Sequence, residues 1–314
     1  MRRSLLPCRP VAPPLHLSFS LSLFRAITLL LFVTLSISAQ SDESPSLLIK
    51  ADAGAIVWVN NLRYGPVPDS GELTIQNLKS GTHKLRARLL GKHELAQSII
   101  VKAGAQTTAQ LTFKLPATAA EQSFQNAEAL REKGKHKDAI AEYQTALKLS
   151  KTSFAQARIG LARSLMATSE YEDAVKEARR AIKEAAANTT LAAEATTVIA
   201  NTYRAQGLYD EAMENYRQAL TLARNVSPEA HTGLALTWQE ENKMADAIQH
   251  FRLAAAQAND TEPIIYYLLA NLLDREGQIK EAIDAYEKYL VLEPNSKLAA
   301  TARSMLKQLK RSAR

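Results

Sequence analysis

The chain has 314 residues, more than one compact domain usually needs, so at least two structural units are expected. Hydrophobic residues make up 46% and charged residues 23% of the chain, an ordinary globular composition that argues against disorder. The net charge is +7, but four arginines lie in the first 25 residues; the remainder carries 35 basic against 32 acidic residues, which gives no support to nucleic-acid binding.

Residues 1–39 have the pattern of a secretory signal. Arginines precede an uncharged apolar run at 26–39, which is shorter than the roughly 20 residues of a membrane-spanning helix. Small residues end the run and suit a signal peptidase, and a polar linker follows at 40–45. An uncleaved anchor is the alternative, because LHLSFSLSLF could lengthen the span if Arg25 snorkelled. Either way, the pattern predicts export to the periplasm or cell envelope, with secretion or a signal anchor as variants.

Residues 46–115 show a hydrophobic period of two, which is typical of antiparallel strands with one buried face. This alternation occurs in KLRARLL (84–90), ELTIQ (72–76) and LTFKL (111–115), while the continuously apolar AIVWV (55–59) suits a central strand. Asparagine, glycine and proline residues mark turns between these segments. Short strands at this spacing predict a small antiparallel β-sandwich.

Three motifs stand in this region: VWVNN (57–61), GPVP (65–68) and LKSGTHKLRARLLGK (78–92). On these residues the region resembles the PEGA domain, a small β-sandwich found mostly in bacterial envelope and surface proteins. GPVP departs from the tetrapeptide that names the family. The resemblance implies a closing strand at 108–115 and a surface or adhesion role, and it brings no catalytic residues.

After Pro116 the hydrophobic period changes to 3.6, which is typical of helices. A small-x-x-x-aromatic-x-x-small pattern recurs five times, its first members being 35, 38, 35 and 35 residues apart. The five sets are Ala139/Tyr143/Ala146, Ala174/Ala178/Ala181, Ala212/Tyr216/Ala219, Ala247/Phe251/Ala254 and Ala282/Tyr286/Tyr289. Ala178 and Tyr289 depart from the pattern. Twelve residues before each set comes a further alanine: Ala127, Ala162, Ala200, Ala235 and Ala270.

Self-similarity near 34 residues in paired helices resembles the tetratricopeptide repeat (TPR). Small side chains are expected where two helices cross closely, because a larger one would push the axes apart. The resemblance predicts repeats at about 120–153, 155–188, 193–226, 228–261 and 263–296, and a capping helix at 296–314. The predicted fold is thus two-domain: a PEGA-like β-sandwich, then an all-α TPR solenoid of five helix pairs plus the capping helix.

Signatures of catalysis are nearly absent. The only cysteine, Cys8, lies in the predicted signal, and the six histidines are scattered without a pair at ligand spacing on one helix. HELAQ (93–97) lacks the second histidine of a zinc-protease helix, and no phosphate loop or nucleophile elbow occurs. The sequence predicts no enzyme, no metal and no cofactor; an unrecognised site in the sandwich is the alternative.

The TPR resemblance implies peptide binding on the concave face, which is lined by the first helix of each repeat. Asparagine can pair with the donor and the acceptor of an extended peptide, and arginine can bind a carboxylate through two bonds. The residues predicted to face this groove are Phe124, Arg131, Ile159, Arg163, Asn201, Arg204, Tyr267, Asn271 and Arg275. An ordinary solvated inner face is the alternative, since Glu128, Glu132 and Asp274 lie there too.

The function predicted from these features is an exported, non-catalytic interaction scaffold of the bacterial cell envelope with a protein or peptide partner. The alternative is an adhesion protein whose β-domain binds glycan or peptidoglycan while the repeats act as a spacer. Neither hypothesis includes nucleic acid, and a membrane enters only through an uncleaved signal.

Overall fold

The computed structural model describes residues 44–115 and 118–312. The predicted secretory signal and Cys8 lie outside the described residues, so export stays a prediction. Ser41–Arg314 form one compact unit. In its described part, seven strands precede eleven helices, none of which is long and apolar enough to cross a membrane.

The strands form two small sheets. The three-stranded sheet has the order β4-β1-β7 and the four-stranded sheet the order β3-β2-β5-β6. The strands are β1 Ser46–Lys50, β2 Ile56–Val59, β3 Leu62–Pro66, β4 Glu72–Ile75, β5 Gly81–Arg88, β6 Leu95–Val101 and β7 Gln106–Gln110. Leu47 and Ile49 from the first sheet and Val57 and Leu85 from the second belong to one buried hydrophobic cluster. The period of two therefore predicted the strand region correctly.

Two details of the predicted β-domain are wrong. The last strand is β7, Gln106–Gln110, whereas the predicted strand LTFKL (111–115) is irregular, although Leu111 and Phe113 are buried. The Leu111 N–H still donates to the carbonyl of Lys50, where β1 ends; beyond it, the Lys114 carbonyl accepts only from His93, which precedes β6, so no strand ladder forms. In addition, β7 pairs with β1 in parallel, although only antiparallel pairing was predicted.

The helices pack as five antiparallel pairs followed by α11, which buries Ala302 and Leu309 against the last pair. The first four helices are α1 Ala119–Glu132, α2 His136–Leu149, α3 Ala155–Ala167 and α4 Tyr171–Ala185. The next four are α5 Thr189–Ala205, α6 Tyr209–Leu222, α7 Pro228–Glu240 and α8 Met244–Ala258. The last are α9 Ile264–Arg275, α10 Ile279–Leu292 and α11 Ala299–Ser312. Every alanine of the recurring pattern is 0% exposed, as close helix crossing requires.

Glycines make room for the buried tyrosines of the repeats. A Cβ atom on Gly160 of α3 would lie 2.3 Å from the ring of Tyr143, and one on Gly233 of α7 would lie 2.2 Å from that of Tyr216. The same position in α5, two residues before the repeat alanine, is Val198. It is buried in one cluster with Ala178, the small residue that replaces the aromatic. Tyr143 and Tyr216 thus face glycine whereas Ala178 faces valine, which explains the departure at Ala178.

We expect Gly160→Ala to lower the free energy of unfolding by about 1–3 kcal/mol, because the added methyl overpacks against Tyr143. The double variant Gly160→Val/Tyr143→Ala reproduces the pairing of Val198 with Ala178. It should therefore lower the free energy of unfolding by less than the sum of the losses in the two single variants. Urea denaturation followed by circular dichroism measures these values. Gln144→Ala, on the exposed side of α2, is the control; equal stability of Gly160→Ala and wild type would refute the packing argument.

Two histidines far apart in sequence meet between α7 and α8. The Nδ1 atoms of His231 and His250 lie 3.0 Å apart, and His231 Nε2 lies 3.4 Å from the carbonyl oxygen of Asn225. Since His231 donates from Nε2, its Nδ1 accepts the hydrogen bond that His250 donates. Burial lowers the pKa of both imidazoles; for His250, nearby Arg217 acts in the same direction and Asp246 opposes it. The pair is therefore stable in its neutral form.

Stability should consequently fall on mild acidification. A histidine whose pKa is lower in the folded than in the unfolded state contributes its full stabilisation above the unfolded pKa of about 6.5. That stabilisation is lost as the pH falls from there through the folded pKa. Chemical denaturation between about pH 7.5 and 5 measures the loss. His250→Gln keeps a donor for His231 and should flatten the profile in this window. A profile identical to that of wild type would contradict the assignment.

Candidate functional site

The first helix of each pair carries the residues predicted to face the groove, but the structure buries some of them. Phe124 is 6% exposed and packs against Tyr143 and Phe154, and Ile159 is 2% exposed. These two side chains are core residues and add no contact surface to the groove. Tyr267 is partly buried and packs against Tyr286 and Tyr289 of α10.

Tyrosine hydroxyls from the second helices reach polar groups on the first helices. Tyr143 donates to Glu128, Tyr216 donates to Asn201 Oδ1 at 2.5 Å, and Tyr286 donates to Asn271 Oδ1 at 2.6 Å. Each acceptor stands fifteen residues before its tyrosine. Burial raises the pKa of Tyr216 and of Tyr286 to about 12, so both hydroxyls keep their protons and donate.

The two repeats that have no tyrosine at this position need no acceptor for a hydroxyl fifteen residues before it. Fifteen residues before Phe251, which has no hydroxyl, stands Leu236, and both pack in one apolar cluster. The residue fifteen places before Ala178 is Arg163. This spacing is a signal in the sequence from which the hydrogen bonds of the groove residues could have been predicted.

Ion pairs occur within α1 and link the first helices of the second, third and fourth pairs. Arg131 Nη2 binds Glu128 at 2.9 Å within α1. From α3, Arg163 binds Glu194 of α5 at 2.6 Å and Glu229 of α7 at 2.9 Å. Asn201 Nδ2 donates to the same Glu229 at 3.0 Å. Arg131, Arg163 and Asn201, all predicted to bind a ligand, are thus already bonded within the chain.

The outer face of the four-stranded sheet packs on α1. Arg88, whose side chain is 6% exposed, donates to Glu128 at 2.9 Å and to Glu132 at 2.8 Å, and Trp58 lies beside it. The side-chain amide of Gln125 accepts from the Gly91 N–H at 3.0 Å and donates to the carbonyl oxygen of Lys92. Burial alone would raise the pKa of Glu128, but Arg131 and Arg88 outweigh it and hold the value at about 2. No pattern in the sequence indicates this contact.

The β-domain also reaches the loop that leads into α9. Asn259 Nδ2 donates to the Tyr64 hydroxyl at 2.8 Å. A cleft of about 430 Å³ opens beside this bond, with Arg63, Asn77 and Asp260 among its lining residues. The strands therefore contact both the first helix pair and the loop between the fourth and fifth pairs.

Three of the predicted groove residues keep unused donors. Tyr286 bonds only to the amide oxygen of Asn271. The amide nitrogen of Asn271 donates to no residue in the described part of the chain. Arg204 and Arg275 form no ion pair with any described residue; Arg204 hydrogen-bonds to the Tyr216 hydroxyl, but its Nε is buried without a hydrogen-bond partner. The unused donors thus lie at the end of α5 and on α9, whereas Arg131, Arg163 and Asn201 are bonded to carboxylates on α1, α5 and α7. Among the described residues, no group of three or more His, Cys, Asp or Glu is placed to hold a metal ion.

Comparisons with known proteins agree with the helix pairing. Three stretches, residues 124–190, 193–233 and 263–296, match profiles described as tetratricopeptide repeat. No curated protein matches the chain.

Among solved structures, the crystal structure of the APC/C hetero-tetramer Cut9–Hcn1 is similar at 17% identity with a TM-score of 0.51, over 62% of this chain and 37% of that one. TTC0263, a thermophilic TPR protein in Thermus thermophilus, has 18% identity and a TM-score of 0.48, over 61% and 98%. Pseudomonas aeruginosa pilF has 21% identity and a TM-score of 0.46, over 61% and 91%. At these identities the likeness concerns the fold alone.

The profile matches, the five helix pairs and the buried alanines lead to one conclusion: the helical part of this chain is a tetratricopeptide repeat array.

Proposed function

We propose that this chain is an exported, non-catalytic scaffold of the bacterial cell envelope that holds a protein segment in the groove of its repeat array. Arrays of this family generally mediate protein–protein interactions. Export rests on the signal pattern in residues 1–39, and the envelope rests on the PEGA resemblance. No cluster of catalytic groups was found in the sequence to compete with a binding role.

The observation that carries the proposal is the difference between the two asparagines of the groove. Asn201 accepts from Tyr216 and donates to Glu229, so its amide is satisfied within the chain. Asn271 accepts from Tyr286 in the same way, yet its amide nitrogen is left to donate to something else. An extended peptide offers backbone carbonyl oxygens that fit such a donor. The partner segment accordingly binds between α5 and α9, with Arg204 and Arg275 as further donors.

The chain itself offers a variant that removes the donor while preserving the packing. Repeat four carries Leu236 and Phe251 where repeat five carries Asn271 and Tyr286. Asn271→Leu/Tyr286→Phe should weaken partner binding about two- to tenfold, because a lost hydrogen bond is worth about 0.5–1.5 kcal/mol. Affinity capture from envelope lysate identifies the partner, and titration with the purified partner measures the change.

The matched control is Asn201→Leu/Tyr216→Phe, which removes the same groups where the amide is already occupied. It should change the affinity less than the repeat-five variant does. If both variants bind as tightly as wild type, the groove assignment is wrong.

One observation favours the second candidate, a β-domain that binds glycan or peptidoglycan. The cleft beside Tyr64 is lined by side-chain amides and hydroxyls, among them Asn77 and Thr261, which suit a polyhydroxyl ligand. Sedimentation of the full chain with purified cell wall tests this candidate, and Asn77→Ala should lower the pelleted fraction. Wild-type chain that stays in the supernatant would eliminate it; pelleting without a protein partner would favour it over the scaffold.

A further inference from the structure

Strand β6 is an edge strand of the four-stranded sheet, and only at its start, where the His93 N–H donates to the Lys114 carbonyl oxygen, does another described backbone segment bond beside it. It pairs with β5 on one side, and no described strand pairs with its other side. The strand LAQSIIV is seven residues long and contains no charge, proline or glycine. Ile100 is 67% exposed on it. Soluble proteins normally protect such an edge with charges, proline, a bulge or a covering element.

The other edges of the two sheets do carry such protection or are short. β3 contains Arg63 and Pro66, pairs with β2 through a bulge and contacts the helix array through Tyr64. β4 has only four residues and begins with Glu72. β7 is a polar strand of five residues. Only β6 combines length, absence of charge and an exposed large apolar residue among the described edges.

The sequence of β6 and its flanks is complementary to itself. Antiparallel pairing about a twofold axis through Ser98 places Ala96 opposite the partner's Ile100, so a small side chain meets a large one. The same register places Glu94 opposite the partner's Lys102, and this pair occurs twice. Centring the axis on Gln97 instead sets Glu94 against the partner's Ile100. Centring it on Ile99 sets Lys102 against the partner's Ala96. Only the Ser98 register pairs opposite charges.

The carboxylate of Glu94 supplies an independent observation. Its Oε1 atom lies 3.6 Å from Arg86 Nη1, and Arg86 also hydrogen-bonds to this carboxylate, whose Oε2 atom is buried. Lys102 is exposed and forms no ion pair with a residue that the structure describes. A carboxylate and a cation without an ion pair thus stand at opposite ends of one strand, as the twofold pairing requires.

We propose that a second copy of this chain docks on β6, pairing the two β6 strands antiparallel about Ser98 to form one continuous eight-stranded sheet. The Lys102 ammonium of each copy supplies a donor for the Glu94 carboxylate of the other. The interface is isologous, and it joins the chains through a surface separate from the groove of the repeat array. It does not depend on the proposed scaffold function.

Cysteine cross-linking of the full chain tests the register directly. In a Cys8→Ser background, Ser98→Cys should form a disulfide dimer under mild oxidation, at twice the 34.5 kDa of one chain on a non-reducing gel. Directly opposed residues have Cα atoms about 4.5–5.5 Å apart, within the range of about 4.4–6.8 Å that disulfides require. Gln97→Cys is the matched control, because its copy would lie more than about 7 Å away. Thr74→Cys places an exposed cysteine on β4, away from the proposed interface, and measures the rate of cross-linking by random collision.

The charge pair is tested in the same assay. Adding Lys102→Glu to Ser98→Cys opposes two glutamates and should abolish the dimer, whereas adding Lys102→Ala removes only the attraction and should reduce it partially. Lys102 is exposed, so neither change threatens folding. The proposal is overturned if Ser98→Cys cross-links no faster than Gln97→Cys or Thr74→Cys. It is equally overturned if Lys102→Glu leaves the dimer unchanged.

Discussion

Close crossing of paired helices at fully buried alanines is the constraint on which the rest of the repeat array depends. Because the alanines let the axes approach, one large side chain per pair fills the remaining space, and that side chain is a tyrosine in three of the pairs. The next helix must then yield room, which it does with Gly160 and Gly233. Where the tyrosine is replaced by Ala178, Val198 fills the gap. The size of the side chain at this position therefore depends on the facing residue of the next repeat as well as on its own helix pair.

The same constraint determines the chemistry of the groove. A tyrosine buried between helices must still satisfy its hydroxyl, because an unpaired buried polar group is costly. Glu128, Asn201 and Asn271 meet this need, so part of their hydrogen-bonding capacity serves stability. What remains for a ligand differs between the repeats, since Glu229 also occupies Asn201 whereas the Asn271 amide nitrogen keeps its donors. The residues of the groove are therefore not equivalent, although the repeat register makes them look so.

The sequence predicts the helix pairs, the buried alanines and the strand region, because each follows from a short-range period that burial of one face imposes. It fails where the outcome depends on elements distant along the chain. The predicted strand at 111–115 alternates correctly but has no strand to pair with once β1 has ended at Lys50. Phe124 and Ile159 lie on the helices predicted to line the groove, yet neighbouring helices cover them. The bond from Arg88 to Glu128 joins two elements forty residues apart, and no local pattern marks it.

Docking of the β-domain gives the array a property that the repeats alone would lack. A repeat array gains its stability from contacts between neighbours, so its curvature can change by small rotations summed over the repeats. Here Arg88 ties the strands to α1, while Tyr64 ties them to the loop before α9. We expect such a bridge, from the first pair to the loop between the fourth and fifth pairs, to oppose that summed rotation. A segment bound in the proposed groove would then meet a preorganised surface, which reduces the ordering cost of binding. The β-domain thereby acts on the groove without contributing a ligand contact of its own.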